Sequence, residues 1–326
     1  MTEVIATTPG LFPLPDWAKA ELSDLKGHQK DDLISGDETG PIVDAYDRAR
    51  TDVVERQLEA GLGRIVEGQL RWDDMLAHPL CVHDNVETRG IVRYYDNNNF
   101  YREPVVRGEL TYDGDVGTEL SAAPEVNQGV LPGPYSLSEL ATDEHYGDEA
   151  AFLDAVSAFL AGEAADFDVE TLFLLEPSLV ENPPEDGIDA RASEAIDHVA
   201  NAVDCDVVVH TYFGAIPEKP YAHLMDADVD AIGFDLITDH ETTLYNIQEY
   251  GTKDDVALGV VDGQNTLVED PQTVRERVEW VQENVPAQTF ETIYVTSNTE
   301  LFYLPVNKAE AKLDALAAAQ MEVTNA

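Results

Sequence analysis

The sequence predicts an α/β protein: a single eight-stranded parallel (β/α) TIM barrel, one domain over residues 1–326. Two observations carry that expectation. Eight short runs rich in β-branched residues recur along the chain, and most are followed by a segment of helical period. In order the runs are Val4 to Thr8, Ile65 to Gly68, Val126 to Leu131, Thr171 to Leu175, Asp206 to His210, Ala231 to Ile237, Val256 to Val261 and Thr292 to Thr296. An open doubly wound sheet is the alternative architecture, and no Gly-x-Gly-x-x-Gly follows the first run to support it.

The intervening segments read as helices with one apolar stripe. Phe152, Leu153, Val156, Phe159 and Leu160 are spaced to share a face that packs on a sheet. Asp270 followed by Pro271 is a helix start, a capping carboxylate before a proline at the first helical position, with Val274, Val278 and Val281 on one face. The spacing is broken once, by the excursion from Gln69 to Glu125 between the second and third runs. Within it, Val92 to Arg102 places two aromatic-rich arms around an Asp/Asn turn, Asp96 to Asn99, which predicts a hairpin. An insertion after a barrel strand lies over the end where barrel enzymes bind ligands.

Composition excludes several classes. Nineteen basic against 65 acidic side chains give a net charge of −46, which argues against nucleic acid as a partner. Self-repulsion on this scale is tolerated in high salt, so the acidity predicts a halophile's surface. Cys81 and Cys205 are the only cysteines, too few for a disulfide scaffold, and no apolar run reaches membrane-spanning length; a cytoplasmic protein with no membrane partner is expected.

Chemistry has two candidate locations. Six of the twelve arginines, Arg64, Arg71, Arg89, Arg93, Arg102 and Arg107, fall in one 44-residue window, where an even spread would place roughly 1.6. They suit an anionic ligand held by bidentate pairing, with Tyr94, Tyr95, Phe100 or Tyr101 to stack a flat ring; the competing reading is neutralisation of the seven carboxylates in the same window. The other location is the barrel rim, just past the strands: Gln69, Glu176, His210, Tyr212, Asp235, Asp262, Asn265, Ser297 and Asn298. Glu176 has the best claim, because a carboxylate directly after an apolar strand requires a partner. Polar strand ends also close rims and cap helices, which is the plainer account of each. Cys81 and His83 offer two metal donors where a zinc site needs three or four. No P-loop, His-Glu-x-x-His or Gly-x-Ser-x-Gly element occurs.

Several segments, in order, resemble the cobalamin-independent methionine synthases: Thr7 to Pro13, Gly133 to Leu137, Glu176 to Val180 and Gly259 to Asn265. Those enzymes are built from two related barrels and transfer a methyl group from 5-methyltetrahydrofolate to homocysteine at a zinc-bound thiolate. Thr211 to Gly214, Val261 to Asn265, Tyr95 to Asn98 and Ser297 to Leu301 leading to Leu304-Pro305-Val306 are similar to the amino-terminal, metal-free barrel. The resemblance implies zinc ligation in the other barrel, through a His-x-Cys, a Glu and a Cys; the matching places here read His210-Thr211-Tyr212, Asp235 and Ser297 to Thr299. The homocysteine contacts of that barrel, a Ser and an Asp, correspond here to Leu11 and Leu175.

The resemblance therefore implies a chain that binds no metal and does not turn over alone. Its expected role is one half of a split enzyme, with folate as co-substrate and a separately encoded zinc-bearing barrel as partner. Arg89, Arg93 and Arg102 are expected to face an anionic glutamate tail. The usual Phe-Pro-Arg-Ile-Gly element is replaced by Phe12-Pro13-Leu14-Pro15-Asp16, so Lys19 or Lys26 is the expected substitute for its basic contact. A stand-alone barrel methyltransferase acting on another thiol or methyl donor, and a non-binding structural or regulatory barrel, are the alternatives.

Overall fold

The computed structural model describes residues 2–24, 38–72, 74–95, 100–112, 114–123 and 125–324. Its strands are β1 (Glu3–Ala6), β2 (Val86–Arg93), β3 (Phe100–Val106), β4 (Gln128–Pro132), β5 (Thr142–Asp143), β6 (Thr171–Leu175), β7 (Asp206–His210), β8 (Ala231–Asp235), β9 (Asp255–Val261) and β10 (Thr292–Ser297). Seven of them form one curled parallel sheet in the order β1, β10, β9, β8, β7, β6, β4. β4, β6 and β8 are buried along their whole length, as expected for parallel strands covered on both faces.

The helices between strands form where the apolar periodicity predicts them. Glu149–Ala164 buries Phe152, Leu153, Val156, Phe159 and Leu160, and its start is capped by Asp148, which accepts from Ala151 N. Pro271–Asn284 begins after Asp270, whose carboxylate accepts from Gln272 N at 2.9 Å, and it buries Val274, Val278 and Val281. β8 stops at Asp235, two residues short of the expected Ile237. There the Asp235 carboxylate accepts from the Ile237 and Thr238 amides, both at 2.9 Å, and turns the chain. Among the described residues, no helix is long and apolar enough to cross a membrane.

The expected eighth strand, Ile65 to Gly68, is the main correction. It makes one parallel bridge, Val66 with Gln128, and no ladder. On its other side, Gly63 N and Arg64 N reach the Ala6 carbonyl of β1 at 2.9 and 3.3 Å. Val66 instead pairs with a side chain. Its N–H donates to Gln57 Oε1 at 3.0 Å and its C=O accepts from Gln57 Nε2 at 2.9 Å, so one buried amide stands where a neighbouring strand would. The reason is local geometry: Gly68 at φ +103° and Gln69 at φ +48° end the extended path at once. The sheet of this chain is thus seven-stranded, with an irregular segment in the eighth position in place of a closed ladder.

The excursion contains the predicted hairpin with longer arms. β2 and β3 pair antiparallel from Val86 with Val106 to Arg93 with Phe100, and β5 adds a short parallel strand beside β3. The expected Asp96 to Asn99 turn, like Lys26, lies outside the described residues. The hairpin's end does reach the mouth of the sheet. Tyr95 Oη is 3.0 Å from Ser178 Oγ, just past β6, and its ring is 5.4 Å from that of Phe213, just past β7.

Candidate functional site

Among the described residues, three that are not glycine have left-handed backbones, Leu11, Gln69 and Phe213, and each follows the carboxyl end of β1, of the eighth segment or of β7. Strain of this kind persists where surrounding structure enforces it. Gln69 Oε1 accepts from Leu11 N at 2.8 Å, and Phe12 N reaches the Gly68 carbonyl at 2.9 Å, so two tight turns face each other. A side chain at Gly10, φ +87°, would place Cβ 2.5 Å from Gln69 Oε1, which explains glycine there.

Of the predicted rim residues, three converge on one hub: His210, Asp235 and Asn298. Asn298 N donates to the Val261 carbonyl at 2.8 Å, Asn298 Nδ2 donates to Asp235 Oδ1 at 3.1 Å, and Asn298 Oδ1 accepts from Gly263 N at 2.9 Å. The carbonyl of Asn298 accepts from His210 Nε2–H at 3.0 Å. One asparagine therefore ties together the ends of β7, β8, β9 and β10. The His210 ring in this hub is neutral, because it is wholly enclosed and held at a pKa of about 4 by burial, and it carries its proton on Nε2. Its other nitrogen has no partner and lies against Gly233, where a Cβ would sit 2.1 Å away. Ser297, next to the hub in sequence, is buried with an unpartnered Oγ.

Glu176 belongs to a different arrangement. Its carboxylate accepts from Tyr135 N at 3.0 Å, Ser136 N at 2.8 Å and Ser136 Oγ at 2.6 Å. Burial raises its pKa to about 7, even though these three donors pull it down. Ser136 Oγ accepts in turn from Ser178 N at 3.0 Å, linking Glu176 to the Tyr95 end of the hairpin. The partner that an enclosed carboxylate requires is thus supplied by the chain itself.

The remaining predicted residues are dispersed. Asp262 and Asn265 turn the loop after β9, accepting from Gln264 N and Leu267 N at 2.9 and 3.0 Å. Tyr212, fully enclosed, donates its hydroxyl to Met75 Sδ at 2.6 Å. His83 accepts from Asn85 N through Nδ1 and meets the Thr111 backbone through Nε2, while Cys81 Sγ lies 3.7 Å from the Arg102 carbonyl. Arg64 pairs with Glu170 and Arg71 with Glu38, and Arg89 and Arg107 both pair with Glu144. Arg107 also pairs with Glu87 inside the arginine-rich window, whereas Glu170, Glu38 and Glu144 lie outside it, so these arginines are matched largely by carboxylates from elsewhere in the chain. Arg93 and Arg102 stand opposite Phe100 and Ile91 and share with them the hairpin's outer face, where Ile91 and Phe100 are exposed. Lys19 sits on the exposed helix Asp16–Asp24, 3.6 Å from Asp16.

Two acids were not singled out by sequence. Glu119 is half-buried near Glu67 and raised to about 7, by loss of solvent first and that neighbour second. Glu300 is enclosed and raised to about 7 by burial, against the opposing pull of its own backbone N–H, and neither carboxylate oxygen is partnered by another residue. Its position three residues past β10 was the available signal; its burial depends on folding of the loop.

A zinc ion does not fit the places where the resemblance would put one. His210 has its Nδ1 face closed by Gly233, and Asp235 already accepts from Phe213 N, Ile237 N, Thr238 N, Thr238 Oγ1 and Asn298 Nδ2. No thiolate stands at either of the other positions. Among the described residues, no three His, Cys, Asp or Glu side chains gather as a metal site.

Comparison with known proteins follows the same lines. Residues 82–286 match the family described as cobalamin-independent synthase, N-terminal domain. The chain is 23% identical over 324 residues to a methionine synthase of Sulfolobus acidocaldarius, covering 96% of this chain and 90% of that protein. It is 28% identical over 237 residues to a 5-methyltetrahydropteroyltriglutamate–homocysteine methyltransferase of Salinibacter ruber, covering 68% of this chain but only 30% of that longer protein. A solved B12-independent methionine synthase from Shewanella shares the fold, with TM-score 0.79 at 19% identity over 98% of this chain and 97% of that one. The chain belongs to the cobalamin-independent methionine synthase family, and the part of the family it matches is the N-terminal domain.

Proposed function

We propose that this chain is one component of a split cobalamin-independent methionine synthase, acting in the cytoplasm with a separately encoded zinc-bearing barrel to transfer a methyl group from 5-methyltetrahydrofolate to homocysteine. The observation that carries the reading is the match to an N-terminal domain in a barrel whose strand ends hold no thiolate and no open acid-histidine set. Homocysteine's thiol, at an ordinary pKa of about 8.5, is a modest nucleophile at neutral pH without a metal. The isolated chain is therefore inactive in this reading, and its rigid rim, centred on Asn298, supports the partner's geometry. Arg93 and Arg102 on the hairpin's outer face, with Arg89 and Lys19 nearer their acidic neighbours, are the groups proposed to meet the folate's anionic tail.

A second reading is favoured by one observation. The chain spans 90% of the Sulfolobus protein, which is named a methionine synthase. On that reading this chain is a methyltransferase in its own right. Tagging the chain in its host, recovering its companions and assaying methionine formation separates the two. The split reading expects a zinc-bearing barrel among the companions and methionine only from the pair. Methionine from this chain alone, with metal bound in stoichiometric amount, overturns it.

A further inference from the structure

A cavity of about 230 Å³ lies between the helices Asp16–Asp24, Gly40–Ala60 and Val306–Thr324, and none of the rim residues lines it. Its walls are mainly apolar: Phe12, Pro13, Trp17, Val53, Ala309 and Leu313. That volume exceeds the roughly 150 Å³ with which a dry apolar cavity takes up benzene, so one ring with a short chain fits. The Trp17 wall is fixed in place. Its indole Nε1–H donates to Asp52 Oδ2 at 2.7 Å, and the Arg48 guanidinium, held by Glu21 at 2.5 Å, lies 4.7 Å from the centre of the ring. A wall that is already held needs little ordering when a ligand arrives.

The charges around the cavity select the head group. Three carboxylates line it, Asp16, Asp52 and Glu310, against one cation, Arg56. Arg56 is spent, because its guanidinium donates to Asp314 Oδ1 at 2.6 Å and to the Glu310 carbonyl at 3.0 Å. Lys19 stands 3.6 Å from Asp16, whereas among the described residues no Lys or Arg pairs with the Asp52 or Glu310 carboxylate. Asp52 is exposed and Glu310 half-buried, which places both at the opening above the buried Phe12, Val53 and Leu313. An anion would meet like charge there, and a neutral ring would leave both acids unmatched; a cation on an apolar body suits both parts. We infer that this cavity binds a small arylalkylammonium compound, its ring among Phe12, Val53 and Leu313 and its ammonium group beside Asp52 and Glu310. This goes beyond the role in methyl transfer and does not rest on it, because it concerns binding by the chain alone.

The experiment titrates the purified full-length chain, in potassium chloride, with 2-phenylethylammonium chloride, following heat and tryptophan emission. Ethylammonium supplies the head without the ring, 2-phenylethanol the ring without the charge, and 3-phenylpropionate the ring with the opposite charge. The expected result is a saturable response to 2-phenylethylammonium, a weaker affinity for the alcohol, and no saturable response to the other two. Ala309→Phe fills the cavity and is expected to abolish binding. Asp52→Asn keeps an acceptor for the Trp17 N–H, and combined with Glu310→Gln it is expected to lower the affinity about threefold or more, the effect of two solvent-exposed charge pairs. Should the Ala309→Phe chain fail to fold, the double variant, altered at the opening alone, decides the matter. No saturable response in the wild type, equal affinity for any of the three control compounds, or unchanged affinity in a variant that folds overturns the proposal.

Discussion

Replacing Gln57 by leucine tests how the eighth position of the sheet is held. Gln57 is fully buried, and its amide makes three hydrogen bonds: to the Val66 N–H at 3.0 Å, the Val66 C=O at 2.9 Å and the Val53 carbonyl at 3.2 Å. Leucine has nearly the same volume, so cavity formation is small and the cost is polar. Val66 loses partners for both backbone groups, each worth about 1–3 kcal/mol when buried and unmade, and leucine's more favourable burial returns about 1 kcal/mol. The net expectation is a loss of about 1–5 kcal/mol, a large part of the ~5–15 kcal/mol that domains possess. Gln57→Glu, ionised, keeps the acceptor for Val66 N–H but loses the donor to its carbonyl, and also buries a charge, so it too is destabilised. Urea unfolding at fixed high salt, with ΔG extrapolated for each variant, is the measurement. A leucine variant within about 0.5 kcal/mol of wild type would refute the reasoning and show that the single Val66–Gln128 bridge holds the segment unaided.

Other expectations follow from the rim. In Gly233→Ala the new methyl sits 2.1 Å from His210 Nδ1 and 3.0 Å from its Cα, so the ring cannot yield alone; a loss of at least about 1–3 kcal/mol is expected by thermal unfolding, and a neutral result would mean that β7 and β8 separate easily. The pH dependence has two opposing parts. Glu300 rises from an ordinary 4.5 to about 7 on folding, so its contribution is fully present below about pH 4.5 and is lost as pH climbs through 7. His210 falls from 6.5 to about 4, so its contribution is present above about pH 6.5 and is lost as pH drops through 4. Comparing wild type with Glu300→Gln by urea unfolding isolates the first part. Between about pH 5 and pH 7 the wild type should lose on the order of 1–3 kcal/mol relative to the variant, and parallel curves would sink the assignment.

Much of the architecture was legible in residues read in order. The stripe of Phe152 to Leu160 and the Asp270-Pro271 start are local features, set by side chains a few positions apart, and they appear where expected. Seven of the eight strand runs were likewise visible, because a strand buried on both faces must be apolar throughout. Ile65 to Gly68 begins with the same β-branched pair but continues into Glu67 and Gly68, and it forms no ladder, since the Gly68–Gln69 turn and the Gln57 amide compete for its backbone. Nothing within the run itself reveals a competitor eight residues upstream.

The functional residues divide in the same way. By itself the sequence determined the family's motifs, the missing cysteines at the strand ends and the excess of negative charge, all of which are properties of residue identity and order. Only the tertiary structure decided what each polar strand end does: Asp235 and His210 are joined through Asn298, Glu176 is satisfied by Ser136 and Tyr135, and Glu300 is enclosed with no donor from another residue. The physical reason is that a buried polar atom's state depends on which donors and acceptors lie within about 3 Å of it, and those come from segments tens to hundreds of residues away in the chain.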